Sequence, residues 1–384
     1  MRLSRGTAAS ETSFLRSVSD DGRFAIMVSL RTDLVPGALP IECLQWDRRD
    51  LSVTRAAVDR LGRPLSIENC ANDATGRFVV FTTASADVVV GDTNGERDVF
   101  LHDRELLTTV RVSVGDDEGE SPAGGSASAV FQSVVSRDGR FVVFQTTQPL
   151  GANDVDTDPD LYVRDALLGE TRRLSEIAGA AAPGFLAEVA GRFIGDDVFV
   201  IANASGVLPG ATAGEGSKPY RVDVVAGTWE LLLPTGTPSG PDDPVLGPDD
   251  TVERVSVSAN GDVVVLSGFR LGGDLENYVF VSRGGGAFVS EPTPAGALDL
   301  EVGVISPDGL QLALRTRRDD NTVDLWIRAD PGDELVSPGT AIAGTAVHNV
   351  VQSDVGPFYD STRNDHPGAD ADDDDNRDVF VQLR

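Results

Sequence analysis

The chain has 384 residues, enough for two or three ordinary domains or one large repetitive one. It carries 61 acidic against 32 basic residues, a net charge of −29, and Lys218 is its one lysine. Such a surface repels nucleic-acid backbones and anionic membranes, and no apolar run reaches the roughly 18 residues that a membrane span needs.

The N-terminus, Met1-Arg2-Leu3-Ser4-Arg5-Gly6, has no apolar core of a signal peptide, so the chain either works in the cytoplasm or follows a removed leader. Its Arg2-Leu3-Ser4-Arg5-Gly6 segment resembles two later strands, Arg111-Val112-Ser113-Val114-Gly115 and Arg173-Leu174-Ser175. The first full unit turns at Gly22, and within it lies Cys43. Together with Cys70 of the second unit this gives two cysteines, too few for a disulfide framework or a four-ligand zinc site. One bridge or two buried thiols both fit that count.

The second unit reads Gly76-Arg77-Phe78-Val79-Val80-Phe81, a polar loop, then Asp98-Val99-Phe100-Leu101-His102-Asp103. The third repeats it as Asp138-Gly139-Arg140-Phe141-Val142-Val143-Phe144, a loop, and Asp160-Leu161-Tyr162-Val163-Arg164-Asp165. The spacing predicts four strands in the third unit, at 132–136, 141–147, 160–165 and 171–175. The second strand is a near-continuous apolar run, which implies burial on both faces. The fourth is polar and alternating, as an outer edge should be. The Asp-Gly pair supplies the tight turn, because glycine tolerates positive φ.

Units four to six keep strand character without the Arg-Phe signature: Phe199-Val200-Ile201-Ala202, Val263-Val264-Val265-Leu266 and Leu310-Gln311-Leu312-Ala313-Leu314. The last unit turns at Gly356 and ends in Asp378-Val379-Phe380-Val381-Gln382-Leu383-Arg384, a third-strand sequence. Aligned on Gly22, Gly76, Gly139, Asp196, Gly261, Gly309 and Gly356, the intervals are 54, 63, 57, 65, 48 and 47 residues. The tail beyond Gly356 and the head up to Gly22 together make one more interval of that size. A repeat of this length means an array of supersecondary units. The expectation is therefore an all-β, seven-bladed β-propeller of four-stranded antiparallel blades, the last closed by the N-terminal strand. The whole chain, residues 1–384, is then one domain, with blades near 14–61, 69–115, 130–176, 185–235, 251–293, 298–337 and 346–384 plus 1–13.

These phrases, together with Ser136-Arg137-Asp138 and Gly91-Asp92-Thr93-Asn94-Gly95, resemble TolB-like propeller repeats, which are distantly similar to WD-repeat proteins. The resemblance spans nearly the whole chain. It implies a binding scaffold of the bacterial envelope or secreted fraction, periplasmic or extracellular, and carries no catalytic residue across. Function must still be argued from sites.

The sharpest chemical pattern precedes the third strand. Asp92, Asn94 and Asp98 of the second unit align with Asp154, Asp156 and Asp160 of the third and with Asp372, Asp374 and Asp378 of the last; Asp158 adds one more carboxylate. Alternating oxygens on a tight loop suit Ca2+, which takes six to eight, and crowded carboxylates repel one another without a cation. The competing reading is turn chemistry, since Asp and Asn cap turns with their own side chains. The EF-hand's bidentate Glu is missing.

His102 fills a strand slot taken by other residue types in other blades, and His348 and His366 lie in the degenerate last unit. No Gly-x-Ser-x-Gly elbow, Walker loop or dinucleotide fingerprint occurs. Phe78, Phe81, Phe141, Phe144, Trp326 and Phe380 fall on core strand positions, whereas Trp46 is open between core and rim. The leading expectation is a monomeric, non-enzymatic protein-binding propeller, stabilised by calcium if its acidic loops hold the ion. The alternative is a hydrolase or lyase with a cation-assisted site in the central channel.

Overall fold

Alternating short strands and tight turns produce antiparallel four-stranded sheets, each from one contiguous stretch of chain. The computed structural model describes residues 12–67, 69–116, 118–119, 133–151, 154, 159–176, 186–189, 192–194, 197–205, 216–240, 242–272, 274–295, 297–317, 323–329, 332–337, 347–354, 356–361 and 378–381. Blade 1 comprises Ser13–Val18, Phe24–Ser29, Glu42–Asp47 and Ser52–Arg55. Blade 2 comprises Asn69–Asn72, Phe78–Thr83, Asp98–Asp103 and Thr108–Arg111. Blade 3 comprises Val134–Val135, Phe141–Thr146, Asp160–Asp165 and Glu170–Arg173, and blade 4 Leu186–Val189, Phe199–Ala204, Lys218–Asp223 and Thr228–Leu231. Blade 5 has Thr251–Val257, Val263–Gly272, Asp274–Arg283 and Val289–Ser290, and blade 6 Asp299–Ile305, Leu312–Arg317, Val323–Ala329 and Gly332–Ser337.

The final unit departs from expectation. Its strands, Val347–Ser353, Gly356–Ser361 and Asp378–Val381, form a sheet of three, so the four-stranded blades number six, not seven. The expected fourth strand lay in residues 1–13, of which 1–11 fall outside the described residues. Ser13 is already committed to blade 1, paired with Ser29, and the carbonyl of Thr12 accepts from the Leu30 amide. Among the described residues the two ends of the ring meet by packing. Leu15, Met27 and Trp46 of blade 1 share one apolar cluster with Phe358 and Val379 of the terminal sheet. Trp46 is thus core, its ring edge-on to Phe358 at 6.2 Å.

Every junction carries such a cluster. Phe78, Val80 and Leu101 of blade 2 meet Val135, Val142 and Phe144 of blade 3, and Val143 and Val163 of blade 3 meet Val189 and Val200 of blade 4. Burial on both faces explains the continuous apolar second strands: all six residues of Phe141–Thr146 are buried. The fourth strands of blades 2 to 4 alternate exposed and half-buried, as an outer edge should.

The repeated Gly-Arg-Phe phrase has a definite mechanical role. Arg23, Arg77 and Arg140 each pair with the aspartate ending the third strand of their blade: Asp47 at 2.8 Å, Asp103 at 2.6 Å and Asp165 at 2.7 Å. Each guanidinium lies over the phenylalanine that follows it, 4.4 to 4.7 Å from the ring centre. The turn glycine of the next blade seats on that ring. A Cβ on Gly76 would lie 2.3 Å from Phe24, and one on Gly139 2.5 Å from Phe78, while both glycines have left-handed φ. Arginine, phenylalanine and the next glycine form a stack that joins neighbouring blades.

A disulfide joins Cys43, in the third strand of blade 1, to Cys70, in the first strand of blade 2, with Cα atoms 6.4 Å apart. The bridge alternative left open by composition is the one adopted.

Candidate functional site

The described aspartates of the blade 2 and blade 3 acidic loops form ion pairs with arginine. In blade 2, Asp98 opens the third strand fully buried, and Asp92 lies beside it. Arg111, ending the fourth strand, brings its Nη1 to 3.5 Å from Asp92 and 3.8 Å from Asp98. The Ser113 hydroxyl donates to Asp98 at 2.6 Å, and Gln148 of blade 3 reaches the same carboxylate. Blade 3 repeats the arrangement. Arg173 Nη1 lies 3.2 Å from Asp160 and 3.6 Å from Asp154, Ser175 donates to Asp160, and the Tyr162 hydroxyl donates to Asp154 at 2.5 Å. Burial raises the Asp160 carboxyl, against the pull of Ser175 and Arg173, and it pushes the Tyr162 hydroxyl up as well. Blade 1 has a shorter version, Arg55 on Glu42 at 3.2 Å.

The charge repulsion that suggested calcium is therefore met in these blades by an arginine thirteen residues past the acid, a spacing visible as Glu42/Arg55, Asp98/Arg111 and Asp160/Arg173. That spacing is the signal that a search for ligand-rich loops passes over. Asn94 acts as a turn residue, accepting from the Glu96 amide at 2.9 Å. Asp156, Asp158, Asp372 and Asp374 lie outside the described residues, and Asp378 is described only as the start of its strand. Among the described residues no group of three or more His, Cys, Asp and Glu is gathered closely enough to hold a metal ion.

The opposite end of the blades carries the first-to-second and third-to-fourth turns, because successive strands run antiparallel. Near the axis, Asp20 of blade 1 reaches across the ring to Arg137 of blade 3 at 2.9 Å and to Arg192, just past the first strand of blade 4, at 2.6 Å. The carbonyl of Asp20 accepts from the Asp354 amide, and Asp354 Oδ1 accepts from the Asp308 amide. Partial desolvation, with the negative charges of Asp308 and Asp20 added, raises the Asp354 carboxyl above its ordinary range. A cavity of about 270 Å3 opens beside Arg137 and Arg192. No histidine belongs to this described cluster. His102 is buried within blade 2, its Nδ1 2.9 Å from the Thr109 hydroxyl, and burial lowers its pKa.

The third-to-fourth turns on this same face project apolar side chains two to four residues past the aspartate that ends the third strand. Leu51 of blade 1, Leu106 and Leu107 of blade 2, Leu167 and Leu168 of blade 3 and Val225 of blade 4 are all 55 to 77 % exposed. Beneath each tip the aspartate ending the third strand accepts from turn amides, as Asp103 does from Glu105 and Leu106 and Asp165 from Leu167 and Leu168. The tips are thus held on rigid turns.

Three solved structures of similar shape put this arrangement in context. An oligogalacturonate lyase from Vibrio parahaemolyticus matches with a TM-score of 0.59 at 10 % identity, over 99 % of this chain and 92 % of the lyase. The β-propeller domain of the Trilobed protease from Pyrococcus furiosus matches at 0.56 and 11 % identity, over 96 % and 95 %. TolB from Acinetobacter baumannii matches at 0.44 and 16 % identity, over 88 % and 67 %. The chain is a β-propeller. At these identities the likeness is one of fold. No family model and no curated protein sequence matches the chain.

Proposed function

We propose that this propeller is a non-enzymatic protein-binding scaffold whose partner docks on the face bearing the apolar turn tips. The observation that carries the reading is the arc of Leu51, Leu106, Leu107, Leu167, Leu168 and Val225, exposed on one face in four consecutive blades. Single exposed leucines are ordinary, but a repeated set held on rigid turns gives the desolvated core that a protein interface needs. With a net charge of −29, the partner that fits best presents apolar side chains ringed by basic ones. The Cys43–Cys70 bridge supports an oxidising compartment, periplasmic or extracellular.

The test is comparative capture from the source organism, using wild type, a Leu106→Asp/Leu167→Asp variant and an Arg60→Asp control. The account expects a basic partner retained by wild type and the control and lost from the double variant. Identical partner sets for all three would overturn it. The described acidic pairs already have arginine counter-ions, so calorimetric titration with Ca2+ is expected to give no heat and no change in melting temperature. A rise in melting temperature would assign the loops to the metal.

A further inference from the structure

Blade 4 departs from its neighbours at one register position. Two residues before the end of the third strand, blade 2 carries Leu101, blade 3 Val163 and blade 5 Val281, all buried. Each belongs to the apolar cluster joining its blade to the next. Blade 4 has Arg221 there, in register with Ile201 on one side and Glu230 on the other. A charged side chain thus stands where blades 2, 3 and 5 pack an aliphatic one; at the same register blade 1 has the buried Gln45 and blade 6 has Trp326. Conflicts of this kind between local rule and residue are where function concentrates.

The blade 4–5 junction opens accordingly into a cleft of about 570 Å3, within the range of small-molecule sites. Its floor is apolar and buried: Ile194, Ile201 and Leu233 from blade 4, Val264 and Phe288 from blade 5. Arg221 also lines it, with its guanidinium laid on the Phe199 ring, 3.8 Å from the centroid. Its Nε is buried without a hydrogen-bond partner among the described residues. Stacking fixes the fork's plane and leaves the donor edge to meet an acceptor, and a guanidinium fork matches a carboxylate bidentately. Glu230 and Asp262 lie exposed at the cleft's edge. Their charges disfavour a multiply charged anion such as a phosphate monoester over a monoanion.

We propose that this cleft binds a small amphipathic carboxylate, its apolar body on the aliphatic floor and its single anionic head on Arg221. Isothermal titration of the full chain with decanoate, and with decanol as the neutral analogue, tests it. Wild type should take up one decanoate, with decanol weaker by about tenfold or more, because only the acid engages the fork. Arg221→Leu, which restores the aliphatic of blades 2, 3 and 5, should lose decanoate by a similar factor while its melting temperature shows that it folds. Ala287→Trp, an exposed substitution at the cleft's edge, should weaken binding of both probes by obstructing entry. No uptake by wild type, equal affinity for decanol, or undiminished binding by Arg221→Leu or by Ala287→Trp would each overturn the proposal.

Discussion

At the first residue of the third strand, blades 2 and 3 carry Asp98 and Asp160, whereas blade 4 carries Lys218 at the same register. Thirteen residues on, the first two have Arg111 and Arg173, and blade 4 has Leu231. The two solutions satisfy a buried charge differently. In blades 2 and 3 a neighbouring strand supplies the opposite charge. In blade 4 the ammonium, almost fully buried, donates to the carbonyls of Gly216 at 3.1 Å, Pro248 at 3.0 Å and Asp250 at 2.8 Å. All three donors of the lysine are used, and desolvation lowers its pKa. The fold therefore tolerates inverted charge at this position provided the hydrogen bonds close. The next departure in the same strand, Arg221, keeps a buried Nε with no hydrogen-bond partner among the described residues, and that difference separates a structural substitution from a candidate ligand site.

Removing one member of a buried charged set is the strongest way to break the comparison. Arg111→Met leaves Asp92 and Asp98 facing each other and should cost about 3–5 kcal/mol in urea unfolding. Lys218→Met, which orphans carbonyls but no charge, should cost less, about 2–3 kcal/mol. Equal losses would mean that the arginine acts by packing alone. The disulfide sets the scale at a different junction. Replacing Cys43 and Cys70, 27 residues apart, by alanine should lower stability by about 3–4 kcal/mol on chain-entropy grounds. Unchanged melting of the double variant would show that the blade 1–2 cluster holds without it.

The stacked glycines come next. Gly139→Ala puts a methyl group into the Phe78 ring at a left-handed φ, and should cost about 2–4 kcal/mol. Gly62→Ala has comparable φ but open space, so it should cost only about 1 kcal/mol. The smallest effect is electrostatic. Arg77, with turn amides assisting, holds the Asp103 carboxyl down at about 2. A depressed folded pKa gives stability that is present above the unfolded value near 3.9 and lost as pH falls through about 2. After allowance for solvent screening the latch is worth about 1 kcal/mol, so Asp103→Asn should lower stability by that much at pH 7 and by almost nothing at pH 2.

Much of this architecture is legible in the sequence because turn chemistry and period-two burial are local. The spacing of the turn glycines marks out the repeat, and the predicted third-unit strands match the observed ones within two residues at each end. The last unit is the hardest to read because its fourth strand rests on the likeness of Arg2-Leu3-Ser4 to an outer strand, which says nothing about which edge it meets, and the described terminal sheet has three strands. Ser13 already pairs within blade 1. The acidic loops are read less easily. Oxygen-rich spacing signals both turns and metals, and the arginines that pair with Asp98 and Asp160, Arg111 and Arg173, sit one strand away. Arg221 is unremarkable within Lys218-Pro219-Tyr220-Arg221-Val222-Asp223, and stands out only in register with Leu101, Val163 and Val281 of blades 2, 3 and 5. Only cross-blade alignment exposes it.

The decisive contrast is between Val163, which builds a blade junction, and Arg221, which at the same register serves binding. A reciprocal exchange at one register position tests it most directly, by urea unfolding of Val163→Arg and Arg221→Val. Val163→Arg buries a charge in a packed junction and should cost at least about 4 kcal/mol. Arg221→Val loses one cation–π contact and gains apolar packing, so its stability should stay within about 1 kcal/mol of wild type. If Arg221→Val proves as damaging as Val163→Arg, the arginine is part of the scaffold and the claim fails.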